Sequence, residues 1–320
     1  MHRRALQTLC LVPLLAPCFT LGCRDGGADT PIKASEKFEA ARAWKHMQAQ
    51  IAFGARPAGS PAAAELRDWL VAELAALKLS PVREAFTAEG TPRGSVAMEN
   101  VYADLEGQPG PDGAPAPMIC LGAHYDTKRM DFEFLGANDG ASGVAALLEL
   151  ARVLSNAEQS AVTYRFLFLD GEEAMRFTWR DPDNCYGSRH HVRQLTQTFG
   201  ALKRIKAFIL LDLVADEDLH LELDSNSTRR LLAIFRKAAT GLGDEEIFAR
   251  YRNPIRDDHE QFKLRGIPAL VLIDLHFGPQ ANEYWHTSQD TLDHCSMESL
   301  QRVGNLVLAA LPQVAADFCR

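Results

Sequence analysis

Apolar residues recur along this chain with two different periods, and the periods divide it into elements. Spacings of three and four mark helices. Phe38, Ala41, Trp44 and Ile51 give one over 35–52. Leu66, Trp69, Leu70 and Leu74 give a second, running to about Leu77, with Ser60 as its cap and Pro61 in its first turn. Val144, Leu147, Leu148, Ala151 and Leu154 give a third, Tyr186 to about Phe199 a fourth, Asn226-Ser227-Thr228 caps a fifth to about Thr240, and 296–311 is a final amphipathic helix. Short apolar runs predict strands at 80–87, 96–105, 117–123, 162–170, 206–212 and 267–274, with a further strand over 217–224 beside the 206–212 run. Strands alternating with helices predict an α/β fold, a mixed, largely parallel central sheet sandwiched by helices.

The strand ends carry the chemistry. Arg165-Phe-Leu-Phe-Leu-Asp170 stops at Gly171 and is followed by Glu172-Glu173-Ala174; other runs end at His124, Asp212 and Asp274. In open α/β sheets, ligands gather outside the carboxyl ends of strands. Two adjacent glutamates at a buried strand end are costly unless a positive group meets them, and a metal ion with one Glu as ligand and the other as base satisfies both. A solvated turn is the bland alternative for an isolated acid pair.

A length of 320 residues and a 47% hydrophobic share suit one large domain with a full core. A net charge of -8 argues against a nucleic-acid-binding surface, which needs clustered Lys and Arg. His2, Arg3 and Arg4, then the apolar Leu9–Leu21 and Gly22-Cys23, read as a secretory signal over 1–22. Thr20-Leu-Gly-Cys23 resembles a bacterial lipoprotein signal, so Cys23 is expected to carry a lipid, 23–34 to form a tether, and 35–320 to be the catalytic domain. The implied location is the bacterial periplasm, with membrane contact only through that anchor. Cys120, Cys185, Cys295 and Cys319 lack Cys-x-x-Cys spacing, which argues against a cysteine-based zinc site, and their pairing is open.

Asp139 in a Gly-rich loop, Glu173 after a strand and His286 in Trp285-His286-Thr287 offer two oxygens and an imidazole, a set that suits zinc with a fourth position open. Taken singly, Asp139 also reads as a helix cap and His286 as a loop histidine.

Together, His124-Tyr-Asp126, Gly136-Ala-Asn-Asp139, Asp170-Gly-Glu172-Glu173-Ala174, Tyr186-Gly-Ser-Arg-His190, Leu211-Asp212-Leu213, Asp257-Asp258-His259 and Trp285-His286-Thr287 resemble, in order, the animal-type zinc-dependent glutaminyl-peptide cyclotransferases. The resemblance covers roughly 40–315 and extends more widely to two-zinc aminopeptidases. It implies an aminopeptidase-like (phosphorylase/hydrolase-like) fold, zinc ligation by Asp139, Glu173 and His286, and Glu172 as general acid/base. It implies that Asp212 holds the substrate amine, that Asp257 is its buried hydrogen-bonding partner, and that Trp285 lines the pocket. His124 and Asp212 match second-metal ligands of the two-zinc enzymes. The implied reaction is an acyl transfer that turns N-terminal Gln of peptides or proteins into pyroglutamate with release of ammonia. Asn138-Asp139-Gly-Ala-Ser142-Gly stands closer to the aminopeptidase form, Trp179 receives no role, and His190, His191 and His259 read as structural. Hydrolysis of N-terminal residues by a two-zinc site is the alternative activity, and a non-enzymatic binding domain the third.

Overall fold

The computed structural model describes residues 37–250, 252–279 and 282–319. The signal, the lipid-bearing Cys23 and the tether expected over 1–34 lie outside the described residues.

The chain runs α1 (Ala40–Ile51), α2 (Pro61–Ala76), β1 (Val82–Thr91), β2 (Gly94–Leu105), β3 (Met118–His124), α3 (Ala141–Asn156), β4 (Thr163–Leu169), α4 (Tyr186–Gln197), α5 (Ala201–Arg204), β5 (Ile205–Asp212), α6 (Arg229–Leu242), α7 (His259–Lys263), β6 (Ala269–Ile273) and α8 (Met297–Phe318). Ser60 caps α2 as expected, accepting a hydrogen bond from the Ala63 amide. The sheet order is β1-β2-β4-β3-β5-β6. β4, β3, β5 and β6 are parallel, while β1 and β2 form an antiparallel hairpin that joins β4 antiparallel.

The buried strands read as continuous apolar runs because both faces are covered. Successive side chains point to opposite faces. Ile119, Leu121 and Ala123 of β3, Phe166 and Phe168 of β4, and Ala207, Ile209 and Leu211 of β5 enter one core with residues of α1, α2, α3, α6 and α8. The intervening Met118, Cys120, Leu167, Leu169, Phe208 and Leu210 enter a second core with α4 and α7. There Phe208 stacks on Phe262 of α7 at 3.7 Å. Cys120 and Cys185 are buried, Cys295 is half-buried, and none of the three is in a disulfide.

The strand expected at 217–224 does not form. Its alternation was real: Leu219, Leu221 and Leu223 are all buried in the first core. Carboxylates, however, take the amides a ladder would use. Asp216 accepts from Asp218 N and Asp274 from His220 N, while Leu221 N and Glu222 N reach the Ile247 and Ile273 carbonyls singly. Isolated bridges remain, at Leu221 with Phe248 and at Asp216 with Cys295.

The strand order reverses between β3 and β5: from β3 the chain passes to β4 on one side, and from β5 it passes to β6 on the other. The crevice at such a reversal of strand order is where α/β sheets bind ligands. His124 ends β3 and Asp212 ends β5.

Candidate active site

The turn after β4 holds the two glutamates by their backbone. Gly171 takes φ +69°, and a Cβ there would lie 2.6 Å from the Met98 sulfur. Asp126 then grips both amides, Oδ1 accepting from Glu172 N at 3.1 Å and Oδ2 from Glu173 N at 3.3 Å. The loop before α3 is held the same way. Asp290 accepts from Asn138 N at 2.7 Å and from Asp139 N at 3.1 Å, across 152 and 151 residues of sequence. These two carboxylates fix the loops that carry the candidate ligands. The sequence gives neither a role, because a carboxylate facing paired amides has no sequence signature of its own.

Asp139, Glu173 and His286 come together as expected, each with a ligating atom within 4.8 Å of the others. His286 Nε2 lies 3.1 Å from Asp139 Oδ2 and 3.1 Å from Glu173 Oε1. Ligands around a tetrahedral zinc are about 3.3 Å apart, from metal–ligand bonds near 2.0 Å. His286 has φ +55°, a sparsely populated conformation for a residue with a Cβ, and it aims the ring at both acids. Asp139 Oδ2 is buried without a hydrogen-bond partner, its approach to His286 being close but misaligned for one, and Glu173 Oε2, also without a hydrogen bond, has the buried Lys128 Nζ 3.4 Å away. Orphaned buried carboxylate oxygens call for a cation. The residues present therefore fit a divalent ion.

A second trio adjoins the first. His124 Nε2 lies 3.1 Å from Asp212 Oδ1 and 3.3 Å from Asp139 Oδ1, so Asp139 belongs to both. Burial works to lower the His124 pKa, but Asp212 and its other acid partners raise it well above the ordinary value. Burial likewise works against the His286 imidazolium, but Glu173 and Asp139 push it up to about 10.

Glu172, 5% exposed, faces the cavity beside these trios. Burial, reinforced by Asp257, Glu173 and Asp258 and opposed by His124, raises its carboxyl well above the usual range. A cation on the neighbouring ligands would draw it back down.

Burial raises Asp257 to about 7, with Asp212 adding to the effect. Its Oδ1 accepts from Asp258 N at 2.5 Å and its Oδ2 has no partner. Two carboxylates bond directly only when one carries a proton, and the charge of Asp212 is among the causes that favour the protonated form of Asp257.

A cavity of about 280 Å³ opens onto the site, lined by Asp139, Glu172, Glu173, Asp212, Asp257 and His286 among others. Its apolar wall includes Trp285, Ile255, Leu275 and Trp179. Trp285 stacks on His286 at 3.9 Å between ring centres. Trp179, assigned nothing from the sequence, thus joins the pocket, while His191 and His259 are structural as read: His191 pairs with Glu84 and His259 with Asp224.

Asp170 and Asp274 end strands like the site residues but serve elsewhere. Asp170 accepts from Glu99 N and pairs with Arg67. Asp274 accepts from His220 N and His276 N.

The family model for Peptidase family M28 matches residues 100–311. The glutaminyl-peptide cyclotransferase of Drosophila melanogaster is 29% identical over 263 residues, covering 73% of this chain and 71% of its own. The glutaminyl-peptide cyclotransferase-like protein of Mus musculus is 32% identical over 286 residues, covering 79% and 71%. Among solved structures, glutaminyl cyclase of an Acidobacteriales bacterium superposes with a TM-score of 0.82 at 32% identity, covering 91% of this chain and 99% of that one.

Proposed function

The chain belongs to peptidase family M28, with relatives named glutaminyl cyclases, and on that premise we propose that it is a zinc-dependent glutaminyl-peptide cyclotransferase. Peptide or protein N-termini bearing Gln are its substrates. The observation that carries this reading is Glu172 beside the Asp139–Glu173–His286 trio in a small pocket walled by Trp285.

Asp139, Glu173 and His286 would hold the ion. When bound, zinc supplies a Lewis acid that polarises a carboxamide carbonyl. The chain's own groups do the rest. Asp212 and the Trp285 wall position the substrate so that its α-amine faces its own side-chain amide carbon, a ring closure that gains greatly from orientation. Glu172 takes the proton released as the new C–N bond forms. It returns that proton to the departing nitrogen, which leaves as ammonia when the old C–N bond breaks. The apolar wall keeps competing water out.

A second reading rests on the His124–Asp139–Asp212 trio, which is suited to a second ion and to hydrolysis of N-terminal residues. Offering a Gln-peptide and a Leu-peptide side by side separates the two. Ammonia from the first without free amino acid from the second supports cyclisation. Free leucine without ammonia overturns it.

The proposal includes export and lipidation at Cys23, which would put the enzyme in the periplasm on a membrane anchor. A lipid-sized mass on an N-terminal Cys23 peptide would support that address; an unprocessed, unmodified N-terminus would refute it.

A further inference from the structure

A third cluster of ligating atoms adjoins the pocket, and the proposed reaction does not use it as such. One carboxylate oxygen each of Glu172 and Asp257 and the Cys185 sulfur lie within 4.8 Å of one another, all three residues buried. Cys185 precedes α4 in a left-handed conformation, φ +46°, uncommon outside glycine. Its amide is tied to the Glu172 carbonyl at 2.8 Å, which fixes the thiol next to that side chain. Asp257, 3% exposed, has an oxygen without any hydrogen-bond partner, and Asp258 beside it has another. Glu172 and Asp257 also line the cavity, so an ion entering by the substrate's route would meet them.

We infer that Glu172, Cys185 and Asp257 form an inhibitory site for a thiolate-binding divalent ion, zinc or cadmium, in addition to the ion of the Asp139 trio. A thiolate with two carboxylates selects borderline-soft ions over magnesium or calcium. Coordination forms a metal–sulfur bond and releases the thiol proton to solvent. It also engages the carboxylate that would shuttle the reaction's proton, so binding here stops turnover. The inhibitory consequence rests on the cyclase reading; the site itself does not.

Cadmium titration of the purified protein carrying one zinc per chain provides the test. Neither of the other trios contains sulfur, so sulfur-to-cadmium charge-transfer absorbance in the ultraviolet that depends on Cys185 reports this site. The expected result is one saturable band per chain in the wild type, absent in Cys185→Ser and Cys185→Ala. Excess zinc should inhibit cyclisation by the wild type, with the inhibition constant weakened at least about 100-fold in both variants, the upper end of what losing an outer-shell partner costs. No band in the wild type, or a band and inhibition that persist in both variants, overturns the site. A band in a protein that never releases ammonia from Gln-peptides retains the site and removes the cyclase reading.

Discussion

At the residue scale, the strand-end acids look alike in sequence and do unlike work. Glu172 projects into the cavity, whereas Asp126 and Asp290 spend both oxygens on backbone amides. Glu172→Gln keeps the shape and removes the proton shuttle. Cyclisation should fall by about 10²–10⁴-fold with zinc content unchanged by elemental analysis; a loss of zinc in parallel would mean that Glu172 is a ligand. Asp126→Asn and Asp290→Asn should leave Glu172 and the ligands in place but loosen their loops, weakening metal affinity by about 10–100-fold, as a chelator competition would read. The meeting of Asp139, Glu173 and His286 was legible because two acids and an imidazole suit one ion and their stretches matched a known order. The grips were not legible, since they depend on which backbone faces each carboxylate. Trp179 was missed because its loop offers no periodicity to place it.

At the element scale, packing sets what each strand and helix tolerates. Gly187 opens α4 where a Cβ would lie 2.4 Å from the Asp170 carbonyl oxygen and 2.4 Å from Asn100 Oδ1. Gly187→Ala must push α4 off the end of β4, at a cost of about 1–3 kcal/mol, seen as a lower denaturant midpoint. The buried strands were legible as apolar runs, and the direction of the sheet followed from the helices between them. The 217–224 segment was not, because alternation reports which side chains are buried and not where the amides bond. Asp274, one of the acids that displace that ladder, is raised by burial to about 7. Its unfolded value is about 3.9. Between those values the folded chain keeps a proton that the unfolded chain has lost, so this group's contribution falls as pH rises from about 4 to 7 and is intact below. Asp274→Asn should flatten that decline by up to about 1.4 kcal/mol per pH unit, measured as unfolding free energy against pH. An unchanged slope would show that Asp274 is already ionised.

At the scale of the whole molecule, two cores on opposite faces of one sheet hold the crevice rigid from both sides. Cys120 sits within that sheet and burial raises its thiol far above the ordinary value. A thiol reagent should leave it unmodified in the native protein and label it only on unfolding; prompt native labelling at Cys120 by peptide mapping would contradict this burial. Fold class and family were readable from the sequence because the site stretches keep their order over most of the chain.

The clasp between Asp290 and the Asn138–Asp139 amides joins positions separated by about half of the polypeptide. A ribosome therefore delivers Asp139 and Glu173 well before His286 and the clasping Asp290. Until that later stretch emerges, Asp139 and Glu173 lack the imidazole they face in the folded chain, and the loop before α3 lacks the carboxylate that clasps it.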